Sequence, residues 1–269
     1  MVVYVITHKK FDYALPRHYQ PLLVGAALHD NPDHYLADDT GENISAQNKQ
    51  FSELTGLYWI WKHSQSNQIG LVHYRRYFYS KDLNRHQLLL LSLVKGKGIR
   101  PISEDALSDL LVDYDWVVPH PEEVEGNSLA DQYAAGHNKH DLVLTEQAIK
   151  RLYPQSLSSF YQVMNGQSSM SAFNMFYTSR SQLDAYCQWL FDILFDVQKH
   201  IDLSAYDAYQ QRVYGFLSER LFNVWLASQK GLKVKYLSVY NVANLNRKVI
   251  LRRMADYLHL TKHKKWVSN

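Results

Sequence analysis

Short apolar runs, each broken by a polar cluster, set the pattern of this chain. Residues 2–6 (VVYVI) are continuously apolar and predict a strand buried on both faces. Thr7, His8, Lys9 and Lys10 follow at once. Residues 22–28 (LLVGAAL) make a second apolar run with Gly25 inside it. A breaker-rich stretch then leads into residues 44–62. There Phe51, Leu54, Leu57, Tyr58 and Trp61 recur at spacings of three and four and predict one helix, with Asn43 or Ser45 as its cap. Ile69, Leu71 and Val72 predict another buried strand, which changes abruptly into His73, Tyr74, Arg75, Arg76 and Tyr77.

The second half alternates in the same way. Residues 81–112 predict helices broken at Gly96 and Gly98, the second beginning at Ser103 with acids in its first turn. Residues 116–118 predict a strand stopped by Pro119 and Pro121. Residues 120–140 are polar and predict a long functional loop or lid. A helix is expected over 141–153, ended by Pro154, and a strand over 172–177. Two apolar helices are expected over 182–197 and 205–229, and a last strand over 233–239. Alternating strands and helices predict an α/β fold with a mostly parallel sheet. Neither a repeat nor a linker divides it, so one domain over 1–245 and a C-terminal extension over 246–269 are expected.

Composition changes this picture in two places. The single Cys187 excludes an internal disulfide and any zinc site built from several cysteines, which fits a reducing cytoplasm. The net charge of +3 hides an asymmetry: residues 246–269 carry +6 and the rest −3. That extension sets Val249, Ile250, Met254, Tyr257, Leu258 and Trp266 among Lys and Arg. A basic amphipathic helix lying on an anionic membrane surface is one reading, and a solvated helix packed on the domain is the other. No stretch approaches the ~20 apolar residues of a membrane span.

Several common sites are absent: no phosphate-binding P-loop, no Rossmann glycine motif, no serine-hydrolase elbow and no zinc-binding H-E-x-x-H. Asp113-Tyr114-Asp115 is a D-x-D, the motif with which many nucleotide-sugar transferases hold a divalent cation, but it precedes a strand instead of ending one. His137, His140 and Asp141 could hold a metal, on thin evidence from one short segment. The position after a strand is taken by His73–Arg76. Paired guanidiniums match the oxygens of a diphosphate and could replace a metal there; a structural ion-pair cluster is the competing reading.

The motifs THKKFDY, VGAAL, DDTGENISAQNKQFSELTGLYWIWK, IGLVHYRRYF, NMFY, YCQWLFDIL and IDLSAYDAYQQRVYGFLSERLFNVWL, spread through Leu226, resemble a bacterial family first catalogued as a domain of unknown function. That family occurs in capsule and O-antigen clusters, and its members are regarded as glycosyltransferases, some of them β-galactofuranosyltransferases. The resemblance implies a GT-A-like nucleotide-sugar-binding fold, with a mostly parallel mixed sheet flanked by helices. It also implies inverting transfer of a hexose from a UDP-sugar to a hydroxyl of a lipid-linked oligosaccharide, at the cytoplasmic face of the inner membrane.

Carried over by resemblance, Thr7, His8 and Lys9 would lie at the nucleotide. Asp38, Asp39, Asn43 and Asn48 would line the uridine or ribose, and His73, Arg75 and Arg76 would face the diphosphate or donor sugar. Asn174 would lie near the acceptor, with His137 and His140 taken as further acceptor-binding residues. Inversion needs a carboxylate to accept the acceptor's proton, and Glu219, Asp141 and Asp131 are the candidates. For Glu219 an ion pair with Arg212 or Arg220 competes, and for Asn43 a helix cap competes. No metal or other cofactor is required on this reading, although a divalent metal stays open, and nucleic acid is not an expected partner. The alternatives are a phosphosugar or nucleotidyl transferase using the same phosphate site, and a non-enzymatic binding module acting through the basic extension.

Overall fold

The computed structural model describes residues 1–245. The expected break before the basic extension, and the amphipathic helix expected within 246–269, lie outside the described residues.

The first strand, β1 (Val2–Thr7), is buried along its whole length. Val2, Tyr4 and Ile6 face one core, while Val3 and Val5 face another, as a two-residue period requires. β2 (Tyr19–Leu23) and β3 (Leu36–Ala37) extend the sheet in parallel on one side of β1. Two short helices, α1 (Asn48–Phe51) and α2 (Leu54–His63), cross back to β4 (Gln68–His73), parallel to β1 on its other side. A tight turn at Tyr74 and Arg75 reverses the chain into β5 (Arg76–Phe78).

After α3 (Arg85–Lys95) and α4 (Glu104–Leu110) come β6 (Trp116–Pro119) and β7 (Glu122–Glu123). Then follow α5 (Leu129–Gly136), α6 (Lys139–Leu152), α7 (Leu157–Gly166) and β8 (Ser169–Met170), which pairs with β7. β9 (Phe176–Ser179) returns to the main sheet, antiparallel to both β4 and β6. The long helices α8 (Arg180–Gln198) and α9 (Val213–Ser228) precede β10 (Val234–Leu237), parallel to β6, and β11 (Val239–Asn241), which pairs with β5. Among the described residues the main sheet thus has nine strands, in the order β10-β6-β9-β4-β1-β2-β3, with β5 and β11 attached at the end of β4. The α/β expectation holds. Its larger core lies between one sheet face and α2, α5, α6, α7, α8 and α9, and its smaller core includes Ile99, Ile102 and Leu107 on the other face.

Five local expectations need correcting. The helix expected over 205–229 begins only at Val213. The helix expected over 44–62 breaks at Ser52, whose φ of 51° lies in the left-handed region. The apolar run 22–28 leaves the sheet after Leu23, because Gly25 turns left-handed at φ 68° with the Asn48 side chain packed where a Cβ would stand. The strand expected over 172–177 begins only at Phe176, because Phe173 and Asn174 are both left-handed. Residues 120–140 are not a structureless lid. Ser128 caps α5 by accepting from the Asp131 N–H at 3.0 Å, and Leu129 and Tyr133, one turn apart, bury its inner face.

Gly70 marks the tightest place in the sheet centre. A Cβ there would stand 2.8 Å from the Tyr177 ring and 3.0 Å from a Val3 methyl, both buried. Gly70→Ala should cost about 1–3 kcal/mol by overpacking, read as a lower urea midpoint. Gly166→Ala, with no atom within 4 Å of the added carbon, should shift stability by no more than about 0.5 kcal/mol.

Candidate functional site

In open α/β sheets the carboxyl ends of the strands, where backbone groups leave the ladder, form the binding edge. Here β1 and β4 end side by side, with Ile6 opposite His73 and the Tyr74 N–H on the Ile6 carbonyl at 3.0 Å. Thr7 is buried, and its hydroxyl bonds the Lys9 backbone, shaping the turn that presents His8 and Lys9. The His8 ring meets Tyr74 edge-on at 5.3 Å, Lys9 Nζ lies 5.5 Å from the same ring and Arg75 Cζ 5.9 Å from it. A shallow cleft of about 460 Å³, bordered by Ala26, Ala27, Leu28, His29 and Asp30, opens in the loop after β2.

Positive charge gathers in this region, and Glu219, Glu122 and Glu53 act on Arg76 from beyond ion-pairing distance. Lys9, Arg75, Arg76 and Arg212 have no carboxylate within ion-pairing distance among the described residues. The His8 pKa is pushed down by burial and by Lys9, Arg75, His29 and Arg212 around it. His73 is pushed down to about 4, chiefly by burial and further by Arg76 and Arg75. It is therefore neutral near pH 7 and hydrogen-bonds the Phe173 carbonyl through Nε2 at 2.6 Å. Arg76 stacks its guanidinium 4.2 Å over the Phe173 ring. The structural ion-pair reading of Arg75 and Arg76 thus finds no carboxylate partner among the described residues.

A carboxylate stands beside this set. Glu219, on α9, accepts the Phe173 N–H through Oε1 at 2.9 Å. Its other oxygen is 3.9 Å from Arg220, at the limit of an ion pair, and Arg220 is already engaged with the Phe216 carbonyl and Gln132. Burial raises the Glu219 pKa, and Glu53 raises it further; Arg220, the Phe173 N–H and His73 oppose that rise. A desolvated carboxylate of this kind holds a proton more readily than one in water, as a general base requires.

The remaining expected residues fall into other roles or places. Asp38 is fully buried and accepts from the Gly25 and Ala26 N–H groups, each at 3.0 Å, and from the Ser45 hydroxyl at 2.5 Å. Asn43 donates to the Asp39 and Gly41 carbonyls and accepts from the Ser45 N–H, a loop tie one residue ahead of the Ile44 cap position and not a helix cap. Asn48 donates to the Ser52 carbonyl at 2.7 Å and to Thr55 at 2.9 Å. These three build the loops beside the β1 end, while Asp39 is exposed.

Asp141 is buried, with its oxygens on the Tyr133 hydroxyl at 2.8 Å and the Tyr206 hydroxyl at 2.5 Å; burial raises its pKa, and those two hydrogen bonds oppose the rise. His137 stacks on Phe216 at 4.1 Å and contacts Gln210, while His140 and Asp131 are exposed on α6 and α5. The D-x-D Asp115 fastens β6 to the Lys233 backbone at the opposite end of the strand. Asn174 is buried beside Glu219, on Glu53 and Ser218. The structure therefore gathers Thr7, His8, Lys9, His73, Arg75, Arg76, Asn174 and Glu219. It adds Glu53, Phe173, Ser218 and Arg212, for which the sequence pattern gave no site signal: Glu53 sat inside an apparent helix face, and Arg212 stood out only as a partner for Glu219.

Comparison with known proteins follows the same lines. The chain resembles the apo structure of the bifunctional glycosyltransferase WbbM, with a TM-score of 0.78 and 27% identity. That match covers 90% of this chain and 45% of WbbM, so this chain spans less than half of that protein's length. No curated protein matches the sequence. A family described as a domain of unknown function, DUF4422, matches residues 2–230, and the chain belongs to that family.

Proposed function

We propose that this chain is an inverting glycosyltransferase that moves a hexose, galactofuranose being one candidate, from a UDP-sugar to a hydroxyl of a lipid-linked glycan in capsule or O-antigen assembly. The likeness to WbbM supports a glycosyltransferase role. The observation that carries the finer reading is the set of cations at the ends of β1 and β4 that make no ion pair among the described residues, with the Glu219 carboxylate beside them. A leaving nucleoside diphosphate gains negative charge as the glycosidic bond breaks, and fixed guanidiniums in a half-buried site stabilise that charge more strongly in the transition state than in the ground state. Arg75 and Arg76 take this part on the proposal, with Lys9 and Arg212 at the nucleotide side. Glu219 removes the proton of the attacking hydroxyl.

No metal is needed on this reading, because the guanidiniums supply the charge that a cation would. Among the described residues no helix is long and apolar enough to cross a membrane. Contact with the inner-membrane surface from the cytoplasm is assigned to residues 246–269, whose charge suits anionic lipid.

The reading is tested by incubating the full chain with a panel of UDP-sugars, UDP-galactofuranose included, and a soluble glycan acceptor. Release of UDP with an inverted product is expected; release of UMP or pyrophosphate would point to the phosphosugar or nucleotidyl alternative. Arg75→Ala and Arg76→Ala should each lower kcat by about 10²–10³-fold with unfolding midpoints nearly unchanged. Turnover should persist in EDTA, and loss restored by a divalent metal would overturn the metal-free assignment.

The pH profile tests Glu219 separately. A general base works only when ionised, so activity should rise with pH through the Glu219 pKa. Because burial raises that pKa, the acidic limb should lie above the ordinary value of 4.5. Glu219→Gln should remove that limb along with most of the turnover; a Gln variant with wild-type rate and profile would exclude Glu219 as the base.

A further inference from the structure

The break between α1 and α2 is joined to the candidate site from both of its residues. Ser52, left-handed at φ 51°, accepts from Arg212 Nε at 3.1 Å. Glu53, the next residue, accepts from Asn174 Nδ2 at 2.7 Å. The same amide donates to Ser218 Oγ at 2.8 Å, and that hydroxyl donates to the Gly215 carbonyl at 2.8 Å. α9 comes close at Gly215, where an added Cβ would meet Ser52 at 3.4 Å.

Asn174 is half of a strained pair. Phe173 and Asn174 stand at φ 75° and 50°, a left-handed backbone that strains a side chain such as that of Phe173. Such a corner persists only where its surroundings fix it. The fixings are the Phe173 N–H on Glu219, the Phe173 carbonyl on His73, the Arg76 guanidinium over the Phe173 ring and the Asn174 amide on Glu53. Asn174 Oδ1 is buried with no hydrogen-bond partner among the described residues, where the amide is oriented through its NH2 group.

We propose that Glu53 is a positioning residue of this site: by holding the Asn174 amide it fixes the Phe173–Asn174 corner on which Glu219 and His73 hang. Glutamine would accept the same hydrogen bond, so the carboxylate has a second consequence. Its negative charge sits on the amide of the residue next to Phe173, whose N–H Glu219 accepts, and it opposes ionisation of Glu219, which keeps Glu219 basic. The inference rests on Glu219 being the base, so its test includes a measurement that needs no substrate.

In the full chain, Glu53→Gln keeps an acceptor for Asn174 but removes the charge, while Glu53→Ala removes both. Side-chain carboxyl 13C NMR should place the Glu219 titration midpoint at lower pH in Glu53→Gln than in the wild type. In a double-mutant cycle, Glu53→Ala and Asn174→Ala should each lower kcat by about 10²-fold, and the double variant should lose no more than the worse single one. Fully additive losses would overturn the positioning role, and an unchanged Glu219 midpoint in Glu53→Gln would overturn the charge effect. Should Glu53→Ala fail to fold, Asn174→Ala decides the positioning role by its kcat, and an unchanged rate there would overturn it. If the wild-type chain transfers no sugar, the proposed activity fails while the NMR measurement still judges Glu53.

Discussion

Like charges held together beside an apolar core are the constraint around which this fold is arranged. Lys9, Arg75, Arg76 and Arg212 repel one another, and no carboxylate among the described residues pairs with them. What holds them is hydrogen-bonded backbone and aromatic surface. Tyr74 carries Lys9 and Arg75, Phe173 carries Arg76 and Phe216 carries Arg212 at 5.5 Å. A ring face attracts a cation without neutralising it, so the charge stays free for an anion. Neutral His73 belongs to the same scheme, since a protonated imidazole at that place would add one more repelling charge.

The second requirement is a carboxylate close to this positive set that does not collapse onto it. Glu219 meets it by accepting from a main-chain N–H and standing only loosely against Arg220. Asp38 and Asp141 illustrate the opposite use of a buried acid. Each is saturated by donors, Asp38 by two N–H groups and a hydroxyl and Asp141 by two tyrosines, and each serves as a structural tie. Saturation, rather than burial, separates the two uses.

How far the sequence revealed this depends on the range of the interaction. Buried strands ending in cations were legible at 2–10 and 69–76, because an apolar run followed by Lys or Arg is a local pattern. From it follow the α/β class and the edge on which the site lies. The breaks at Ser52 and at Phe173–Asn174 were not legible. Both segments continue an apolar periodicity, and their left-handed residues are not the glycine or asparagine-glycine that usually announces such a turn; partners distant in sequence hold them there. Glu53 escaped for the same reason, since its partner Asn174 is 121 positions away. The α5 segment reads as a loop or lid in sequence because its apolar face amounts to Leu129 and Tyr133, too few for a period to show.

The antiparallel β9 has a consequence for how the chain assembles. It sits between β4 and β6, so the strands made first and the pair β6 and β10 have no ladder in common until residue 176 has been synthesised. Until then one edge of β4, with Ile69 and Leu71, has unpaired backbone groups open to any passing strand. Contacts that span more than a hundred residues also close slowly. The nascent chain therefore passes through a long interval in which half a sheet exists with an adhesive margin, and fragments ending before residue 176 should inherit that margin permanently.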